Sequence, residues 1–283
     1  MVPLFNHEPK YFFFNDTATT EIYTRTYTPS LHDALPILLA RQRAAFTASR
    51  PEPLSLRKDR IKRAMALVKE HGEEFAKAMS ADFGSRSAHQ SMLTDIAATV
   101  GAGNHALKHI DQWSKPEKRK VQFPLGLLGA KAEVRYEPKG VIGILSPWNF
   151  PVQLAFGPLM QVLAAGNRAM IKPSEFTERT SALMAKLTAQ YFAPEEVAVV
   201  TGSPEVAAAF SSLPFDHLVF TGSTATGNRI VKSAGLKKFS MELGGKSPFV
   251  IFDDADLARA LDAAPARGWQ VVSMRDDWAR VFP

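Results

Sequence analysis

Glu242 lies in the run Met241-Glu242-Leu243-Gly244-Gly245-Lys246-Ser247-Pro248, where a carboxylate between apolar residues is followed at once by two glycines. Residues 239–243 read as a short strand and 248–252 as another. The carboxylate therefore falls where a buried strand breaks into a loop without side chains. Desolvation there would favour the protonated form and poise the group as a general base. An isolated Glu could equally cap a neighbouring backbone N–H. Three other stretches support the chemical reading.

In the first, Ser146 to Pro151, two prolines stiffen a loop and remove two N–H donors. Asn149 lies between them, its amide held in a restricted direction. An amide N–H aimed into a site can stabilise an oxyanion, an effect of about 10²–10³ in rate in known enzymes. A plain turn beside proline would use the same residues. In the second, Lys172 precedes Pro173 at the end of an apolar run, and Glu175 follows three residues on. A cation there can hold a ribose hydroxyl or phosphate, and the carboxylate can accept from both ribose hydroxyls; the alternative is a surface ion pair. The third, Gly222-Ser223-Thr224-Ala225-Thr226-Gly227, resembles a phosphate loop. Asn228-Arg229 replaces the Lys-Ser/Thr of a Walker loop, so it is a glycine turn opening a helix, able to meet a phosphate or a nicotinamide ring.

These residues need elements to carry them. From Gly140 onward, strands alternate with helices: strands at 141–145, 168–172, 197–200 and 217–220, and helices at 152–165, 178–192, from Pro204, and 225–234. That alternation predicts an α/β fold with a doubly wound, mostly parallel, Rossmann-like sheet, whose ligands bind beyond the carboxyl ends of the strands. All the stretches above fall at those ends. Before them the chain reads as helical. Ser55 can cap a helix carrying Ile61, Ala64, Met65 and Val68, and residues 73–82 form a second. A long helix over 87–113 sets Leu93, Ile96, Val100, Leu107, Ile110 and Trp113 on one face. Residues 132–137 alternate as an exposed or edge strand.

Composition excludes other classes. The chain has 283 residues, 46% of them hydrophobic, which is enough for a substantial core. It contains no cysteine, which rules out disulfides, thiolate metal sites and a cysteine nucleophile, and no metal is expected. The net charge is +6, but the basic residues are dispersed or mixed with acids, as on a solvated surface. Neither nucleic acid nor membrane is the expected partner, no run is long and apolar enough to span a bilayer, and a cytoplasmic location follows. Residues 1–37 show no sustained period and resemble translated sequencing-adapter read-through, so they are expected to be artefactual or disordered.

Ser-Pro-Trp-Asn-Phe-Pro at 146–151, Lys-Pro-Ser-Glu at 172–175, Phe-Thr-Gly-Ser at 220–223 and Met-Glu-Leu-Gly-Gly-Lys-Ser-Pro at 241–248, in this order, resemble the aldehyde dehydrogenase superfamily. The resemblance covers roughly residues 38–261. Residues 54–220 are most similar to the coniferyl-aldehyde branch, and 224–262 to semialdehyde dehydrogenases of aromatic degradation. It implies oxidation of an aromatic aldehyde with NAD, NADP being the alternative. Asn149 would be the oxyanion donor and Glu242 the general base. Lys172 and Glu175 would hold the adenine ribose, and Gly222 and Ser223 would face the pyrophosphate and nicotinamide side. Leu243 and Gly244 would lie near the nicotinamide, while Ser146, Trp148, Ser174, Gly202, Phe220 and Thr226 complete the cofactor surface. Intact members form homo-oligomers. The mechanism implied is thiolate attack on the aldehyde, hydride transfer to NAD(P)⁺ and hydrolysis by water activated by the Glu.

The sequence departs from that pattern where the nucleophilic Cys is expected, since residues 274–277 read Met-Arg-Asp-Asp. The expectation is therefore a cofactor domain (38–139 as helical part and connecting strands, 140–264 as βα repeats), an aberrant, frameshifted tail at 265–283, and a missing catalytic domain. A noncatalytic nucleotide-binding protein and a nucleic-acid binder are the alternatives.

Overall fold

The computed structural model of the chain describes residues 31–245 and the single positions 254, 256 and 258. A first compact unit extends to Leu243 and a second begins at Gly244. The first contains a five-stranded parallel sheet in the order β5-β4-β3-β6-β7. Its strands are β3 (Val141–Leu145), β4 (Arg168–Lys172), β5 (Val197–Val199), β6 (His217–Gly222) and β7 (Lys238–Leu243). A separate antiparallel pair joins β1 (Glu117–Arg119) to β2 (Ala132–Val134). The helices are α1 (Leu31–Ala48), α2 (Leu54–Glu70), α3 (Gly72–Phe83), α4 (Ala98–Trp113), α5 (Pro151–Ala164), α6 (Glu178–Tyr191), α7 (Pro204–Ser212) and α8 (Thr224–Ser233).

Strand residues alternate between two cores, as a period of two requires. Ile142 and Ile144 of β3 join Ala169, Ile171 and Val197 in the core covered by α2 to α6. Val141 and Leu145 join Met170, Leu218 and Phe220 in the core covered by α1, α7 and α8. All five residues of β3 and of β4 are buried, as a parallel sheet covered on both faces demands. The apolar stripe of α2 behaves as its spacing predicts: Ile61, Ala64 and Val68 are fully buried. That helix starts at Leu54, however, and Ser55 lies inside its first turn rather than capping it.

Three expectations require correction. Residues from 31 onward are helical, and Leu35 (2% exposed) and Leu39 (3%) enter the second core. The boundary expected after residue 37 therefore falls too late: the helix begins before it and continues through Pro36. The domain boundaries expected at 139 and 264 give way to one division after Leu243, since the N-terminal helices share the first core with the sheet. In the long helix, Leu93 is 71% exposed and Asp95 is fully buried. A π turn covers Met92–Ala97, and the inward face there carries Asp95 and Ile96. Residues 1–30, the strand expected at 248–252 and the tail at 265–283 lie outside the described residues. Among the described residues no helix is long and apolar enough to cross a membrane, and no group of three or more His, Cys, Asp or Glu could hold a metal.

A buried charge cluster ties the N-terminal helices to the sheet. Glu52 pairs with Arg60 and with Arg168 of β4 (2.9 Å), and all three side chains are at most 4% exposed. Glu196, which leads into β5, accepts from Arg60 (2.7 Å) and Arg63 (2.9 Å). Burial pushes the Glu196 carboxyl up, but the hydrogen bonds and charges of Arg63 and Arg60 outweigh it and hold the group down at about 2. A depressed carboxylate contributes stability above its unfolded value of 4.5 and loses it as pH falls through about 2. The contribution near neutrality is about 3 kcal/mol. Glu196→Gln should therefore lower the urea unfolding free energy by about 2–3 kcal/mol near pH 7 and by roughly half as much near pH 3. Equal deficits at the two pH values would show that the charge is not responsible.

Candidate functional site

The sheet order places β3 between β4 and β6. The chain leaves β3 toward β4 on one side and later returns to β6 on the other, so the carboxyl ends of β3 and β6 flank a topological switch point. Register aligns the functional edge: Leu145 pairs with Lys172 and with Phe220, and Thr221 with Glu242. Lys172 and Glu242 are three strand spacings apart, or about 14 Å. They can act on different parts of one extended ligand but not on a single atom.

At the end of β4, Lys172 is 1% exposed. Its ammonium donates to the Pro173 carbonyl (2.7 Å) and lies 3.8 Å from the Glu175 carboxylate. Burial lowers its pKa, against the opposing charge of Glu175. Glu175 is exposed and Ser174 half-buried, with the Ser174 hydroxyl accepting from the Phe176 N–H. The pair expected from sequence is thus formed, with its acid open to solvent. Gly202, after β5, has φ 138°, a conformation that favours glycine.

At the end of β3, Ser146 is 6% exposed and its N–H donates to the Lys172 carbonyl (3.2 Å). The Ser146 hydroxyl is buried without a hydrogen-bond partner among the described residues. Trp148 (49% exposed) lies beside Phe83, with ring centroids 6.1 Å apart, and Asn149 is exposed. The loop is fastened from outside the motif. Arg86 donates to the Asn149 carbonyl (2.6 Å) and to Asp95 (2.7 Å). The other Asp95 oxygen accepts from the N–H groups of Val152 (3.1 Å) and Gln153 (3.2 Å), capping α5. Burial pushes the Asp95 carboxyl up, while the Gln153 N–H, the charge of Arg86 and the Val152 N–H pull it down. Sequence reasoning missed both residues; the only signal was an acid set within an apolar helical stripe.

At the end of β6, Ser223 caps α8. Its hydroxyl accepts from the Thr226 N–H (3.2 Å) and meets the Thr226 hydroxyl (2.9 Å), so both residues serve the helix start. Gly222 is half-buried beside the Phe220 ring, where an added Cβ would come within 2.5 Å. Phe220 itself is 6% exposed and belongs to the second core, which corrects its assignment to the cofactor surface: it faces inward, beneath the glycines.

Glu242 also departs from expectation. It is exposed on β7, as is Leu243, and burial on that strand reaches only Phe239 and Met241 in part. β7 is the sheet's edge strand, paired with β6 alone, so the described residues do not supply the desolvation expected for a buried base. Gly244 is exposed and lies in the second unit. Two surface cavities, of about 410 and 660 Å³, lie elsewhere, one beside Arg50 and Arg57, the other beside Leu35 and Ala209.

Comparison with known proteins agrees with this geometry. Residues 17–271 match the model of the aldehyde dehydrogenase family. A probable coniferyl aldehyde dehydrogenase of Caulobacter vibrioides is 50% identical over 226 residues, covering 79% of this chain and 47% of the relative. The coniferyl aldehyde dehydrogenase of a Pseudomonas species is 49% identical over 222 residues, covering 78% and 45%. The chain thus spans about half the length of the curated relatives it matches. Among solved structures, the substrate-bound AldH of Staphylococcus aureus superposes with a TM-score of 0.70 at 30% identity, over 78% of this chain and 48% of that one. PnpE in complex with nicotinamide adenine dinucleotide superposes with a TM-score of 0.68 at 29% identity, over 83% and 47%. With its parallel sheet, its switch point and four ordered motifs along one edge, the chain belongs to the aldehyde dehydrogenase family.

Proposed function

We propose that this chain is the cofactor-binding part of an NAD-dependent dehydrogenase for aromatic, coniferyl-aldehyde-like aldehydes, and that the 283 residues as given bind the dinucleotide without oxidising an aldehyde. The observation that carries the reading is the single edge on which Lys172, Glu175, the unpartnered Ser146 hydroxyl and the start of α8 are aligned. These residues fit a dinucleotide. Glu175, open to solvent, can accept from both ribose hydroxyls, and the Lys172 ammonium can exchange its Pro173 contact for a ribose oxygen. The first-turn amides and dipole of α8 favour an anion, here a pyrophosphate. The buried Ser146 hydroxyl can donate to a polar group entering the crevice.

A nicotinamide ring, when bound, supplies the hydride acceptor. Around it, this chain's own residues have separate tasks. Asn149, on a loop bounded by Pro147 and Pro151, donates its amide N–H to negative charge on an aldehyde oxygen. Glu242, at the end of β7, takes a proton from water in the proposed reaction. The remaining requirement is a nucleophile: a bare aldehyde carbon carries no alkoxide to expel hydride, and no cysteine occurs among these residues. NAD is the proposed cofactor and NADP the alternative. For the whole protein we propose a homo-oligomer in the cytoplasm, with neither nucleic acid nor membrane as partner.

Isothermal titration with NAD⁺ tests the binding assignment. Glu175→Ala should weaken binding by roughly tenfold, the loss of about 1.4 kcal/mol in hydrogen bonds to a charged group. Equal affinities for the two proteins would sink the ribose assignment.

Turnover tests the other half of the reading. With coniferyl aldehyde and NAD⁺, the purified chain should form reduced nicotinamide no faster than a protein-free blank, because an uncatalysed hydrate route is slower by many orders of magnitude. A rate proportional to protein and abolished by Glu242→Gln would overturn the proposal and demand another nucleophile.

A further inference from the structure

We infer that Asp95 and Arg86 act together as positioning residues for the Ser146–Pro151 loop, setting the direction of the Asn149 amide from outside every motif. The inference rests on the reading of Asn149 as the oxyanion donor. Its basis is a continuous chain of contacts. Asp95 lies on the π turn Met92–Ala97, is fully buried, and has both oxygens engaged. One accepts from the N–H groups of Val152 and Gln153, which fixes where α5 begins. The other accepts from Arg86 (2.7 Å) and Thr94 (3.3 Å). Arg86 spans the gap to the loop and donates to the Asn149 carbonyl (2.6 Å). Its guanidinium also lies 5.0 Å from the Phe83 ring centroid and 5.2 Å from that of Phe150, so the loop is gripped through both backbone and side chain. The loop thus has its far end set by the carboxylate and its middle set by the guanidinium.

Asp95 lies four residues before the buried Thr99, on the inward face of its helix, while Leu93 is 71% exposed. A π turn covers this stretch. Such turns cost stability and concentrate at functional sites. A cap of this kind could be supplied locally, by a Ser, Thr or Asp at the helix's own N-cap. Here that position is Phe150, whose side chain offers no hydrogen bond, so the cap comes from a distant helix and couples the two. A fork that binds a carbonyl and a carboxylate together is specific to guanidinium; a lysine at 86 would keep the charge and lose the geometry.

The test uses the full chain labelled with ¹⁵N-asparagine, the Asn149 side-chain amide being identified by its disappearance in Asn149→Asp. In Arg86→Lys that signal should shift or broaden, while the Asn167 and Asn228 amides stay in place. In uniformly ¹⁵N-labelled Asp95→Ala, the Val152 and Gln153 backbone amides should in addition exchange with solvent at least tenfold faster, and Asp95→Glu should restore part of the protection. Should Asp95→Ala fail to fold, Arg86→Lys decides alone. An Asn149 signal unchanged in folded Arg86→Lys would overturn the inference, because a role confined to stability leaves the amide where it was. NAD⁺ titration of the unaltered chain runs in parallel: absence of binding there would remove the cofactor reading without touching the loop result, and the converse holds equally.

Discussion

The structure depends on β3 being buried on both faces and paired on both edges. Its residues Val141 to Leu145 pair with β4 on one side and β6 on the other. A strand in that position has no solvent-facing side chain and no free ladder group, so its register is fixed by both neighbours. Gly143 shows how tight the fit is, since a Cβ there would come within 2.7 Å of Phe215 and Leu218. Once β3 is fixed, the loop that follows it must emerge at the switch point. Lys172 and Phe220 are then held at the same level by register alone, with Thr221 one residue beyond. The candidate site is a consequence of strand pairing, with side chains added where the strands end.

The helices covering that sheet are held by charge as well as by apolar packing. Five charged groups, Glu52, Arg60, Arg63, Arg168 and Glu196, meet where α2 approaches the starts of β4 and β5. Burying such groups costs several kcal/mol per ion, and their mutual attraction repays this only in good geometry. Burial and the neighbouring charge of Arg60 lower the Arg168 pKa, whereas Glu52 raises it. An apolar cluster of equal volume could be as stable. What the ions add is direction: a misregistered α2 would leave a buried charge unpaired, which is far more costly than a shifted methyl group. The cluster lies at the amino ends of the strands, opposite the candidate site, so it can set the helix layer without occupying the functional edge.

Much of this was legible in the sequence because the signals were local. The runs Val141–Leu145 and Arg168–Lys172 are short, apolar and bounded by Gly140, Ser146, Asn167 and Pro173, and both strands form where expected. The four motifs fall at strand ends because chemistry needs loops and the sheet offers them on one edge. What could not be read depended on neighbours. Asp95 is a buried acid whose partners, Arg86 and the N–H groups of Val152 and Gln153, come from other parts of the chain. Leu35 joined the core from a stretch in which no sustained period was read. Glu242 was expected to be desolvated, but burial of an edge strand is decided by what covers it, and among the described residues β7 is paired on one side only. Phe220 illustrates the same limit: alternation along β6 turns its ring inward, so the glycines above it define the surface.

On the proposed reading, the environment of Lys172 and Glu175 also bears on which dinucleotide fits. The ammonium is buried and already 3.8 Å from a carboxylate. A ribose hydroxyl entering between them is both donor and acceptor, so it can give to Glu175 and receive from Lys172 with no net change in charge. A 2′-phosphate brings about two negative charges to the same place. Its attraction to the ammonium is of order 4 kcal/mol per charge at 4 Å in a medium of effective dielectric 20, and its repulsion from the carboxylate at a similar distance is as large. The two cancel, leaving the cost of desolvating the phosphate uncompensated. On that reading the carboxylate would select against the phosphorylated ribose while the lysine would serve either, and a preference for NAD would reside in Glu175, the partner that remains open to solvent.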